Sequence, residues 1–153
     1  MALQDPGKPV SGRSKYQRLL FDAERFFKEK DFQTAFKIYQ QALKDAPPGD
    51  HKALSQLCRC YRKKARKALK KEDHQTVFNL LQEMMNLEHV HPFLKARDYE
   101  VLANSCLEIG QTDIALKALQ RAIHIAPEIS VELQSLQRRL KTELLHQEMN
   151  GLH

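Results

Sequence analysis

LLFDAERFFKEKDFQTAFKIYQQALKDAP, Leu19–Pro47, and YEVLANSCLEIGQTDIALKALQRAIHIAP, Tyr99–Pro127, overlay without a gap. Leu19, Ala23, Phe26, Ala35, Tyr39, Ala42 and Pro47 of the first take the places of Tyr99, Ala103, Cys106, Ala115, Leu119, Ala122 and Pro127 of the second. Between them the chain follows the same ruler with Tyr61, Ala65, Ala68, Val77, Leu81 and Met84, lacking only the closing proline. Within each half the apolar residues recur at three- and four-residue spacing, the period of a helix with one buried face. Small residues at Ala23 and Ala35, and at Ala103 and Ala115, let two antiparallel helices approach closely. Phe26, Tyr39 and Leu119 fill the space beside them.

Outward from these segments the helical period continues over nearly everything after Ser14, and no stretch alternates as a strand would. The spacing predicts an all-α fold of about seven helices. The first runs from about Lys15 to Lys30 with Ser14 as N-cap, and the second from Phe32 to Asp45, stopped by Pro47-Pro48-Gly49. A long third helix runs from Asp50 as N-cap to about Lys71. The fourth covers about Gln75 to Leu87. The fifth begins near Pro92 and is capped by Gly110. The sixth spans about Asp113 to Ile125, closed by Pro127, and the seventh Ile129 to Met149. Residues 1–13, with their Pro, Gly and Ser, are expected to be disordered, leaving a helical domain over 14–149.

The shared spacing resembles the tetratricopeptide (TPR) repeat, whose A-x3-F…P half and small-residue positions it matches over roughly residues 16 to 129. The repeats fall at about 16–49, 50–91 and 92–128. Asp22 and Lys64 stand where the family usually places Leu, and the repeats are offset by 42 and 38 residues. The additional residues fall before the third and fifth helices, so the third should overrun its repeat by about two turns. The resemblance implies a right-handed superhelix of antiparallel helix pairs, with 129–149 as a capping helix. Ile129, Leu133, Leu136, Leu140 and Leu144 make one apolar stripe on that helix. Capping, and docking to another chain as a structural subunit of a larger complex or by self-association, are both open uses for it.

Between Cys58 and Asp73 the chain reads CRCYRKKARKALKKED, eight of sixteen residues basic. Without those eight, 17 basic residues face 19 acidic ones, so the net charge of +6 is local. On a helical wheel Leu54, Leu57, Tyr61, Ala65 and Ala68 share the core side, while Arg59, Arg62, Lys63, Arg66 and Lys70 form one stripe opposite. In TPR domains the first helix of each pair lines a concave groove for extended peptides. The resemblance therefore implies that Arg59, Arg62, Lys63, Arg66 and Lys70, with Arg97 and Asn104 from the third repeat, face such a groove. Gln17, Leu20, Glu24 and Phe27 would border them from the first repeat, Glu100 and Glu108 from the third. Guanidinium groups there suit carboxylates, so an acidic peptide or protein segment is the expected partner.

Other readings stand beside this one. Pairing of Arg62 with Glu100, and of Lys70 with Glu108, would leave a solvated wall worth little. Nucleic acid could use the same charges, but Tyr61 lies on the core side and no other aromatic interleaves with the basic run, as single-strand binders require. Lys63-Lys64-Ala65-Arg66 matches a short nuclear-targeting signal. Capture of chaperone C-terminal tails by a carboxylate clamp is argued against. At the matching places stand Leu20 and Glu24, then Lys63, then Arg97 and Val101, and only Arg97 fits.

No phosphate loop, nucleophile elbow or HExxH occurs. Glu88-His89-Val90-His91 is read as connector chemistry rather than a metal site. Cys58 and Cys60, two apart on a helix, point away from each other, Cys106 is read as a small buried hydrophobe, and His124 as a packed histidine. The expectation is a non-enzymatic module without metal or cofactor. Three cysteines without a framework, a start lacking an apolar signal core, and no bilayer-length apolar run point to the cytoplasm or nucleus.

Overall fold

Three helices end by the same backbone device. At Lys30, Glu72 and Gly110 the backbone turns left-handed, with φ of 64°, 56° and 80°. The N–H of each donates to the carbonyl three residues back, on Phe27, Leu69 and Leu107. The next N–H, on Asp31, Asp73 and Gln111, reaches back five residues to Phe26, Ala68 and Cys106. Together the two bonds make the Schellman closure of a helix C-terminus. A new helix begins at once. The Asp31 carboxylate accepts from the hydroxyl (2.7 Å) and N–H (3.1 Å) of Thr34. Asp73 does the same with Thr76, at 2.6 and 3.2 Å. Each cap satisfies an N–H that the first helical turn leaves without a partner. The threonine hydroxyl, and then the backbone bond, hold both carboxyls below the usual range.

The computed structural model describes residues 12–151, apart from the side chains of 12–14, 129, 130 and 132. Seven α-helices occur among these: α1 (Gly12–Lys28), α2 (Phe32–Lys44), α3 (Lys52–Lys70), α4 (His74–Met85), α5 (Ala96–Glu108), α6 (Thr112–Ile125) and α7 (Ser130–Gly151). Short 3-10 turns stand at His91–Phe93 and Pro127–Ile129, and no strand occurs among the described residues. The fold is all-α, as the periodicity predicts. The turn residues 30, 72 and 110 repeat the 42- and 38-residue offsets of the sequence ruler.

By its contacts the chain divides into two compact units, Met1–Lys63 and Lys64–His153. In the first, α1 and α2 form a hairpin. Ala23, Ala35 and Ala42 are completely buried in it, with Tyr39 beside them. The first part of α3 is tied in by Tyr16, whose hydroxyl donates to Asp50 Oδ1 at 2.7 Å and accepts from the Ala53 N–H at 3.3 Å. Asp50 Oδ1 also accepts from the Lys52 N–H at 3.0 Å. One phenol and one carboxylate thus satisfy two N–H groups at the start of α3. Phe36 meets Tyr61 edge-on, centroids 4.9 Å apart, a geometry worth about 0.5–1.5 kcal/mol beyond area alone.

In the second unit α5 and α6 repeat the hairpin, α4 packs on α5, and α7 packs on α6. Ala103, Cys106, Ala115, Leu119 and Ala122 are all fully buried there. Along α7, Leu133 and Leu140 are buried, and Leu136 and Leu144 half-buried. Leu145 and Met149 beyond them are exposed.

Several boundaries differ from expectation. Gly12 and Arg13, placed in the disordered segment, open α1, and Ser14 lies inside that helix; the rest of that segment, like the Ile129 side chain, is outside the described residues. The fifth helix does not begin at Pro92. Pro92 is the middle residue of a single 3-10 turn (His91–Phe93), Leu94 and Lys95 are extended, and α5 starts at Ala96. Buried Asp98 fixes that start by accepting from the Lys95 N–H at 2.8 Å. The expected overrun is present in α3, which begins nine residues before Tyr61, whereas α5 begins three before Tyr99.

Four outcomes follow from these turns and ties. A Cβ at Gly110 would meet no atom within 4 Å, so Gly110→Ala exposes the conformational cost alone, about 1 kcal/mol lost in urea unfolding. Glu72→Gly, the same exchange reversed at φ 56°, should leave the urea midpoint unchanged or higher. Tyr16→Phe strands the Ala53 N–H and should cost about 1–3 kcal/mol. Burial, and then the bond to Asp50, push the Tyr16 phenol up from 10.0 to about 12. A raised folded pKa stabilises below the unfolded value and is lost as pH rises through the folded one. Wild-type stability should therefore fall between pH 10 and about 12, and the alkaline limb should be shallower in Tyr16→Phe.

Candidate functional site

α3 carries its charges on the strip that packing leaves open. Leu54, Leu57, Tyr61, Ala65 and Ala68 are buried, as the wheel predicts. Cys58 and Cys60 are buried as well, on opposite flanks of the same helix. Burial therefore extends round more of α3 than a single amphipathic face. Arg59, Arg66 and Lys70 are exposed, while Arg62 and Lys63 are half-buried.

Two of these cations meet aromatic rings. Phe27 lies in the last turn of α1 and Phe32 opens α2, so the Lys30 turn brings them together, edge to face, with centroids 5.0 Å apart. The Arg59 guanidinium carbon sits 4.6 Å from the Phe27 centroid. Arg59 Nη1 donates to Gln56 Oε1 at 2.9 Å, which fixes the plane of the group. One helical turn on, Lys63 Nζ lies 5.8 Å from the Phe32 centroid. Cation–ring contacts at exposed sites contribute about 0.5–1 kcal/mol each. Among the described residues neither Arg59 nor Lys63 forms an ion pair with a carboxylate.

Beside them opens a cleft of about 340 Å³. Phe27, Phe32 and Tyr39 give it aromatic walls; Lys28, Lys30, Arg59 and Lys63 line it with charge; Glu24 and Gln56 complete it. Glu24 pairs with Lys28 at 3.7 Å. Burial pushes the Tyr39 phenol up to about 12, so Tyr39 enters the cleft as a neutral ring.

The other expected site residues are placed differently. Arg66 and Lys70 follow along α3. Arg97 and Asn104 are exposed on α5 in the second unit. Arg97 pairs with Glu100 of its own helix at 3.0 Å. No ion pair joins Lys70 to Glu108 among the described residues.

The rings beside the basic run come from α1 and α2 rather than from α3 itself: Phe27, one of the expected neighbours, and Phe32 in addition. Phe32 was missing from the sequence reading, though a signal was available. Its counterparts on the ruler are His74 and Thr112, so an apolar residue stands only in the first repeat where the others are polar. His124 is exposed, not packed. His89 Nε2 and Glu88 lie 3.8 Å apart in an exposed connector. No group of three or more His, Cys, Asp or Glu side chains is placed to hold a metal among the described residues. No described helix is long and apolar enough to cross a membrane.

No family model matches the chain, and no curated protein does. Among solved structures it is similar to a chain in the cryo-EM structure of the Sec complex from S. cerevisiae (Sec61 pore ring and Sec63 FN3 double mutant, class without Sec62). The TM-score is 0.54 at 17% identity, over 94% of this chain and 78% of that one. At that identity the likeness speaks to the fold alone.

All three cysteines are buried, and burial pushes the Cys106 thiol up to about 11. A thiolate is the reactive form. At pH 8 a thiol reagent should therefore label the native protein only as fast as it unfolds, and all three sites should react at once in denaturant. Rapid stoichiometric labelling of the folded chain would contradict this burial.

Proposed function

We propose that the chain is a non-enzymatic, TPR-like interaction module that holds an acidic peptide or protein segment against the basic strip of α3. The hairpins repeated at the sequence offsets support the TPR likeness. The observation that carries the ligand reading is Arg59 and Lys63, set over Phe27 and Phe32 and, among the described residues, in no ion pair with a carboxylate. Stacking positions a guanidinium without neutralising it, and Arg59 commits one N–H to Gln56. Its other in-plane donors are those that take a carboxylate in pairs. Arg62, Arg66 and Lys70 extend the charge along the same helix.

Nucleic acid is the rival reading, and the two rings favour it more than the sequence did. Single-strand binders offer ring faces to bases, however, and here Arg59 lies over the Phe27 face and Lys63 over Phe32. A structural role through the exposed end of α7, including self-association, predicts indifference to the strip. The cytoplasm or nucleus remains the expected setting.

Fluorescence anisotropy with a labelled Glu-rich peptide, its Lys-rich counterpart and a single-stranded oligonucleotide tests the reading. The Glu-rich peptide should bind best, and Arg59→Glu with Lys63→Glu should weaken it at least about tenfold, equivalent to about 1.4 kcal/mol. Circular dichroism checks that the variant folds. Equal binding by wild type and variant, or preference for the oligonucleotide with a steep salt slope, would overturn it.

A further inference from the structure

The cleft between α1, α2 and the first part of α3 is organised around an apolar floor rather than a single point of charge. Arg59 and Lys63 are one helical turn apart and stand over different rings. Lys28 and Lys30 come from the end of α1 and the turn after it. The one carboxylate of the lining, Glu24, is engaged by Lys28. Four cations therefore surround the rings, against one paired anion. A phosphate is held best where donors converge on its oxygens. Cations distributed round an aromatic floor instead suit separate carboxylates on either side of an apolar group. At about 340 Å³, the space is at the small end for a ligand pocket and suits one large side chain rather than a folded segment.

We propose that the partner segment anchors in this cleft through an aromatic side chain flanked on both sides by carboxylates. The proposal rests on the acidic-segment reading above and names the residue that gives it specificity. The anchor ring packs against the parts of half-buried Phe27 and Phe32 that Arg59 and Lys63 leave uncovered, in the edge-to-face arrangement aromatic rings prefer. Its edges meet the aliphatic stems of Lys28 and Lys30, whose ammonium groups reach the surface. The flanking carboxylates reach Arg59 on one side and the lysines on the other. Neither part suffices alone: a purely acidic segment leaves the rings wet, and a purely apolar one brings no carboxylate to Arg59, Lys30 and Lys63.

The chain has no tryptophan, so a tryptophan placed in a peptide reports its own burial by fluorescence. Three peptides serve, each with a Gly-Ser surround: Glu-Glu-Trp-Glu-Glu, the same with Ala for Trp, and the same with Gln for every Glu. The first should bind the full chain at least tenfold more tightly than either of the others, with its emission shifted to the blue. Phe32→Thr, which installs the residue found at the matching place in the third repeat, should abolish the preference for Trp over Ala while keeping acidic binding. Phe32→Leu should retain part of it, and each variant's melting curve is compared with wild type. Equal binding of the Trp and Ala peptides to wild type would sink the anchor while leaving the acidic-segment reading intact. No binding by any of the three would overturn both.

Discussion

The bond from Asp31, Asp73 or Gln111 back to the carbonyl five residues earlier is the constraint on which the other features hang. A helix can end in many ways, but a Schellman closure followed at once by an N-cap leaves no slack. At the first and third of these turns the second helix returns along the first. Residues a fixed distance either side of the turn are then forced opposite each other. Alanines at those places, Ala23 with Ala35 and Ala103 with Ala115, are what let the backbones approach. The ruler in the sequence is the imprint of this one turn. The candidate cleft is a further product of it, because Phe27 and Phe32 straddle the turn and meet only because it closes.

This explains which features were legible. The hairpins, the buried alanines and the overrun of α3 follow from positions counted from the turns, and counting needs only sequence. The left-handed residue was legible at Gly110, where glycine announces it, and opaque at Lys30, where a lysine adopts φ 64° because the surrounding bonds demand it. The start of α5 was misread because Pro92 serves a 3-10 turn as readily as an α-helix, while the decisive contact, Asp98 to the Lys95 N–H, depends on backbone geometry. His124 was assigned to the interior by its neighbours' character, yet its direction on α6 points outward.

The site was half legible for a similar reason. A wheel drawn on one helix locates Arg59 and Lys63 on the open strip, since that depends on α3 alone. It cannot supply what other helices bring beside them. Phe27 was within reach as a neighbour, because its repeat position was known. Phe32 was not, because the repeat pattern assigns its position no role, and the other two repeats fill it with His74 and Thr112. A departure from the ruler, rather than agreement with it, was the informative sign.

The charge on α3 also needs a reason to persist. Arg59 with Lys63, Arg62 with Arg66 and Arg66 with Lys70 are like charges four residues apart, each costing a few tenths of a kcal/mol in an isolated helix. A carboxylate beside Arg59 would remove part of that cost, and none forms an ion pair with it among the described residues. Phe27 occupies that side instead. A ring fixes the direction of the guanidinium for about 0.5–1 kcal/mol and leaves its charge whole, whereas a carboxylate would fix it and neutralise it. The first arrangement keeps an oriented positive group facing water at a small standing cost in stability. Such an arrangement makes physical sense where the missing anion arrives on another molecule.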